Sequence, residues 1–200
     1  MRLKRFEIAA VFAILAAIGF TFFISRAQPE LSERLIRLHV VANSDSSLDQ
    51  RVKLEVRDRL LEKAETLLGG VDDRQRAAEI LLSHSDDLEQ AANAVCYPYG
   101  YTAAVSVDRE FFSTRTYDTF SLPAGQYEAL RVTLGQGEGH NWWCVIFPPL
   151  CEAAAEEDFI QAGLTPEQAD WITEKSTGYK VKFKAVEIYE EIKHFLRENF

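Results

Sequence analysis

The stretch Gly125–Pro149, "GQYEALRVTLGQGEGHNWWCVIFPP", holds the pattern that decides the fold. From Tyr127 to Leu134 the chain alternates. Tyr127, Ala129, Arg131 and Thr133 fall on one side, and Leu130, Val132 and Leu134 on the other, the period of a strand. "GQGEGHN" is a glycine-rich turn and reads as a hairpin connection. "WWCVIF" follows as a second β segment. It stops at Pro148 and Pro149, because proline has no N–H to give a ladder. Adjacent tryptophans on a strand face opposite sides. One of Trp142 and Trp143 therefore belongs to the core, and the other reaches the far face. There it is either a partner anchor or a ring covered by another element.

Upstream, "YTAAVSVD" (Tyr101–Asp108) alternates as a strand, and "FFSTRTYDTFSLP" reads as another that ends before Pro123. Further back the period changes. Leu48, Val52, Val56, Leu60, Ala64 and Leu67 recur at helical spacing, with Ser46/Asp49 or Ser47/Gln50 as a capping box and Gly69-Gly70 as the stop. Asp72 or Asp73 caps a second helix, with Ala77, Ile80 and Leu81 inward. Ser83 or Ser85 starts a third, with Leu88, Ala91, Ala92 and Val95 inward, and "YPYG" ends it. Before them, Ile36–Val41 is rich in β-formers and closes in the turn residues "NSDSS". Beyond Cys151 the chain reads as a helix ("EAAAEEDFIQAG"), a short helix capped at Thr165, a strand "YKVKFKA" and a final amphipathic helix. One strand, helices, consecutive strands, then helices give an α+β fold: a mainly antiparallel sheet with helices packed on it.

The N-terminus is a different material. Arg2, Lys4 and Arg5 precede Ile8–Ile24, 17 residues without a charge. As a helix this run rises roughly 26 Å, close to the ~30 Å of a bilayer core. A basic front and an apolar run describe an export signal or an anchor, and "SRA" at Ser25–Ala27 offers a cleavage site. The domain reading is residues 1–27 as leader or anchor, 28–33 as linker and 34–200 as one exported domain. The chain has 22 basic and 31 acidic residues; less the leader's 4 and 1, the remainder holds 18 and 30, a net of −12. Such a domain repels phosphate backbones, so nucleic acid is not an expected partner.

Three cysteines follow the leader: Cys96, Cys144 and Cys151. Cys144 as a nucleophile would need His140 as base, yet four residues across a turn-to-strand junction can part them by over 10 Å. Cys144 and Cys151 flank the Pro148-Pro149 break, so the chain can fold back to the ~5.5 Å a disulfide needs; the alternative is two buried thiols. His39, His84, Asp45 and Asp49 show no metal-ligand spacing. His39 reads as a satisfied imidazole on its strand, and Asp58 with Arg57 and Arg59 as a solvated helix face. Asp49 stands where a helix N-terminus favours negative charge. "GQGEG" lacks the helix and lysine of a phosphate loop. No catalytic residue, cofactor or metal is expected.

Two segments carry a resemblance: "IRLHVVANSDSSLDQRVKLEVRD", Ile36–Asp58, and "LPAGQYEALRVTLGQGEGHNWWCVIFPPLC", Leu122–Cys151. Together with the export segment they resemble the stage II sporulation protein R family of endospore-forming bacteria. The resemblance implies a protein made in the forespore and exported into the space between forespore and mother cell. There it triggers a membrane-bound aspartic-type protease that cleaves the pro-form of a mother-cell sigma factor. It is an activator and not the protease. Arg37, Asn43, Ser44, Asp45, Asp49, Gln50, Lys53, Arg57 and Asp58 match the first motif, and Tyr127, Gly135, Gly137, Asn141 and Trp142–Cys144 are among the matches to the second. His39 and Cys96 are not among the positions the resemblance carries over. The density of aromatic, glycine and proline residues makes Asn43, Ser44, Asp45, Asn141, Trp142, Trp143, Pro148 and Pro149 the expected contact surface. A secreted enzyme using Cys144 and a structural cell-envelope module are the rival readings.

Overall fold

The computed structural model describes Phe12, residues 31–117 and 119–149, and parts of the C-terminal region (159–160, 164–173, 187–188, 191–192 and 195–196). The leader other than Phe12, Cys151, the strand expected at "YKVKFKA" and most of the final helix lie outside the described residues. Among the described residues no helix is long and apolar enough to cross a membrane.

The elements run β1 (Ile36–Val41), α1 (Ser47–Leu68), α2 (Arg74–Ser83), α3 (Ser85–Cys96), a 3-10 turn (Tyr97–Tyr99), β2 (Ala103–Phe112), β3 (Arg115–Thr116), β4 (Ser121–Leu122), β5 (Gly125–Leu134), β6 (Asn141–Phe147) and α4 (Pro166–Thr173). Among them β2, β5, β1 and β6 form a sheet in that order. β1 runs parallel to β5, while β1–β6 and β2–β5 are antiparallel. The fold is mixed α+β with a mainly antiparallel sheet and three helices on one face, as the patterning predicts.

Three expectations change. "GQGEGHN" is not a hairpin: β1 slots between β5 and β6, and the connection crosses over the C-terminal end of β1. "FFSTRTYDTFSLP" is not one strand. Phe111 and Phe112 finish β2, and a turn closed by Tyr117 N–H to the Phe120 carbonyl at 2.8 Å joins β3 to β4 as a separate small hairpin. Stacking of the Tyr117 and Phe120 rings at 4.5 Å holds that turn. The inward face of α1 is also different. Leu48 is 43% exposed, and Asp49 and Lys53 are buried beside Val52, Val56, Leu60, Ala64 and Leu68. Asp49 and Lys53 turn inward because polar partners wait for them at the end of β1.

Two cores flank the sheet. On the helix side Leu38, Val40, Leu130, Val132 and Cys144 meet Val52, Val56, Leu60, Leu81 and Leu88. Each such fully buried aliphatic side chain contributes about 1.5–3 kcal/mol. Ser46 caps α1, accepting from Asp49 N–H at 3.1 Å, and Asp73 caps α2, accepting from Arg76 N–H at 2.7 Å. α3 closes the β2 edge: Asn93 donates to the Ala103 carbonyl and accepts from its N–H, and Glu89 accepts from Val105 N–H. On the other face a smaller core joins Leu31, Leu35, Phe112, Phe120, Tyr127, Val145 and Phe159. Ile36 pairs with Phe147 but Arg37 with Val145, so Ile146 is a bulge residue. The bulge puts both Ile146 and Phe147 on the helix side.

Candidate functional site

The sheet carries two clusters of polar and aromatic side chains. The first lies where the β5–β6 crossover rests on the turn after β1. The Asn43 side-chain oxygen accepts from Gln136 N–H at 2.9 Å, while its amide donates to Asp49 at 2.9 Å. The Ser44 hydroxyl donates to the same Asp49 oxygen at 2.5 Å. Asn43 and Ala42 carbonyls accept from Glu138 and Gly139 N–H at 3.2 and 2.9 Å. Lys53 ties α1 to the crossover through the His140 carbonyl at 2.9 Å. At the rim, Asp45 accepts from both the backbone N–H (2.6 Å) and the ring Nδ1 (2.5 Å) of His140. Asn43 and Ser44 therefore build the turn, and Asp45 and His140 are its solvent-facing part.

These contacts set the charges. The hydrogen bonds from His140 hold the Asp45 carboxyl below its usual 3.8, and the Ser44 hydroxyl, then the Asn43 amide, do so for Asp49. Burial lowers the Lys53 ammonium, with Asp45 opposing. A carboxyl whose folded value lies below its unfolded one supplies stability that is whole above the unfolded value and is lost as pH falls through the folded one. With 3.8 as the reference, stability is expected to hold above about pH 4 and to decline below it. Urea midpoints measured between pH 2 and 6 check this. Asp45→Asn and Asp49→Asn should each flatten the acid limb, and an unchanged limb in both would rule these two groups out as its source.

The second cluster occupies the opposite face of β1. Trp142 and Trp143 do point to opposite sides, each half-buried, and each lies under an arginine. Arg57 stands 4.4 Å above Trp142 on the helix side, and Arg115 stands 5.0 Å above Trp143 on the other. Trp143 stacks on His39 at 3.7 Å and meets Phe112 edge-on at 4.9 Å. His39 Nδ1 lies 2.9 Å from both oxygens of Glu110, which also pairs with Arg131. Its Nε2 is buried with no partner among the described residues, so His39 is only half satisfied there. Arg37, fully buried, lies 4.1 Å over Phe112 and donates to the Tyr117 hydroxyl at 2.8 Å.

The structure brings Asn43, Ser44 and Asp45 beside Asn141 at one end of β6. It sets Pro148 (buried) and Pro149 (exposed) at the other end, about 20 Å away along a seven-residue strand. Cys144 is buried and disulfide-bonded, while Cys151, its expected partner, lies outside the described residues. Cys96 is free and buried, and burial pushes its thiol up to about 11. A thiol held there carries almost no thiolate at neutral pH. Among the described residues no group of three His, Cys, Asp or Glu side chains converges as a metal-ligand set. The sequence reading gave no role to Arg37, His39, Glu110, Arg115 or Tyr117. A signal was present for the first two, since they are basic residues in a strand whose apolar neighbours are all core. Arg57 was read as solvated, but it covers Trp142.

The described residues define a mixed-sheet α+β domain whose polar clusters organise turns and cover aromatic rings. The family model for stage II sporulation protein R matches residues 32–157, and the chain belongs to that family. It is also similar to stage II sporulation protein R of Bacillus subtilis (strain 168), with 34% identity over 182 residues, covering 84% of this chain and 80% of that protein. Membership supports a role in sporulation. No solved structure matches the chain.

Proposed function

We propose that the protein is an exported signalling protein that activates a membrane-bound protease by direct contact, so that a mother-cell pro-sigma factor is cleaved. Family membership across residues 32–157 carries this reading. The basic, apolar N-terminal segment supports export, and the surplus of acidic residues after it argues against a nucleic-acid partner. The Cys144 sulfur sits in a disulfide, which favours an oxidising compartment and leaves no thiolate there for a secreted-enzyme reading. Cys151 is the proposed partner. The contact surface centres on Trp143 and Arg115 on one face of β6, with Asn141 and the Asn43–Asp45 turn at its end. Tryptophan and arginine are the residues that most often dominate protein contacts.

The test is deletion of the protein in its host, with precursor cleavage followed by immunoblot during sporulation. Cleavage should fail on deletion and return with the wild-type protein. Trp143→Ala, in protein shown to fold, should lower the rate at least about tenfold, the scale of an anchor residue worth over 1.4 kcal/mol. Normal cleavage in the deletion strain would refute activation and promote the cell-envelope module. Wild-type cleavage with Trp143→Ala would keep activation and discard this surface. Iodoacetamide applied to the native protein should leave Cys96 and Cys144 unmodified, whereas rapid labelling of Cys144 would revive the enzyme.

A further inference from the structure

We infer that Arg37 forms a buried receptor for a carboxylate, beside His39 and under Tyr117 and β3. Arg37 is fully buried, yet among the described residues its Nε and Nη1 have no acceptor, and it donates to the Tyr117 hydroxyl. A buried guanidinium normally faces an anion, because taking it out of water without one costs several kcal/mol. Glu110, a carboxylate on this face, is taken by His39 and Arg131. His39 adds a second orphan, its buried Nε2. The two side chains share the Phe112 ring, with Arg37 at 4.1 Å and His39 at 6.2 Å from its centre. Arg37 and His39, each with an orphaned atom, thus flank one aromatic ring.

The chemistry selects a carboxylate. Nε and Nη1 each flank Nη2, so either edge of the guanidinium presents two parallel N–H donors, the match for two carboxylate oxygens. The surroundings are apolar rings, which favour a monoanion over a dianion such as phosphate, whose desolvation costs more. The limb of the cover that lies on the site is exposed: β3 faces solvent, whereas Ser121 and Leu122 of β4 are buried in the core. β3 and β4 are two residues each, and a two-stranded hairpin of that size is marginal without support. β3 and Tyr117 rest on the site through Tyr117 on Arg37 and Arg115 over Trp143, while Phe120 and Leu122 hold β4 in the second core. A ligand that takes over the guanidinium replaces the first of these. The site adjoins the Trp143–Arg115 surface, but its test does not depend on the activator reading; a peptide carboxylate from a partner and a free small acid are both sources of the group.

The test is thermal melting of the full chain in sodium acetate against sodium chloride at equal ionic strength. Acetate at tenfold over its Kd should raise Tm by about 3 °C, and chloride should not. Arg37→Met should abolish the acetate response and melt no lower than wild type, since it removes an uncompensated buried charge. If Arg37→Met does not fold, Arg37→Lys, which keeps the charge without the planar fork, should also lose the response. Absence of an acetate-specific rise, or a rise that survives in these variants, would overturn the site. Sulfate stabilising as strongly as acetate would overturn its carboxylate selectivity. N-acetylaspartamide outperforming N-acetylalanine would identify an acidic side chain as the source, and the reverse a chain terminus.

Discussion

Gly139→Ala is expected to destabilise the fold by about 3 kcal/mol, a drop in Tm on the order of 10 °C. A Cβ at Gly139 would lie 2.3 Å from the Ser44 carbonyl oxygen, 2.6 Å from the Ser44 carbonyl carbon and 2.8 Å from the Ala42 Cβ. None of these is the end of a flexible side chain, so the backbone itself must move. Moving it breaks the Gly139 N–H bond to the Ala42 carbonyl and lifts the crossover from the end of β1. Gly70→Ala is the control. Its φ is +77, and nothing lies within 4 Å of the added Cβ, so only conformational strain of about 1 kcal/mol applies. Urea unfolding of the full chain measures both. A Gly139→Ala variant within 0.5 kcal/mol of wild type, on the order of an ordinary surface change, would show that the crossover does not sit on this turn.

Asn43→Ala should cost a similar amount, about 2–3 kcal/mol, for a different reason. One side chain bridges three parts of the chain: β1, the crossover at Gln136 and α1 at Asp49. The bond to Asp49 is charge-assisted, and such bonds are worth about 1.5–3 kcal/mol. Truncation also leaves the Gln136 N–H without its acceptor. Because Ser44 and Asn43 share one Asp49 oxygen, losses here should not add. In a double-mutant cycle, Asn43→Ala with Asp49→Ala should cost less than the two singles together by about 1–2 kcal/mol. Strict additivity would mean that the two side chains act separately, and that Asn43 works through the crossover alone. Gly135 completes the arrangement. At φ +54, an added Cβ there would fall 2.1 Å from the Asn43 oxygen, so only glycine lets that oxygen reach Gln136.

Much of this was readable from residue order because it rests on local rules. The caps at Ser46 and Asp73, the glycine stop after Leu68 and the β alternation through Gly125–Leu134 depend on neighbours within a few residues. The opposed tryptophans follow from the pleat alone. The small β3–β4 hairpin was missed because its turn contains no glycine or proline; it is closed by ring stacking of Tyr117 on Phe120. The inward Asp49 and Lys53 were missed because helical periodicity sorts residues by hydropathy, and these two are drawn in by partners far along the chain, such as the His140 carbonyl.

Residue order alone thus determined the capped helices, the strands β1, β5 and β6 and the family, since each is written in spacing or motif. Tertiary structure decided the rest. Strand order depends on which backbone edges meet, and no local signal says that β1 separates β5 from β6. That insertion turns an apparent hairpin into a crossover seated on Asn43, and it buries β1 on both faces. Burial on both faces in turn takes Arg37 and His39 out of water and leaves them among aromatic rings, with polar atoms that have no partner in the described fold.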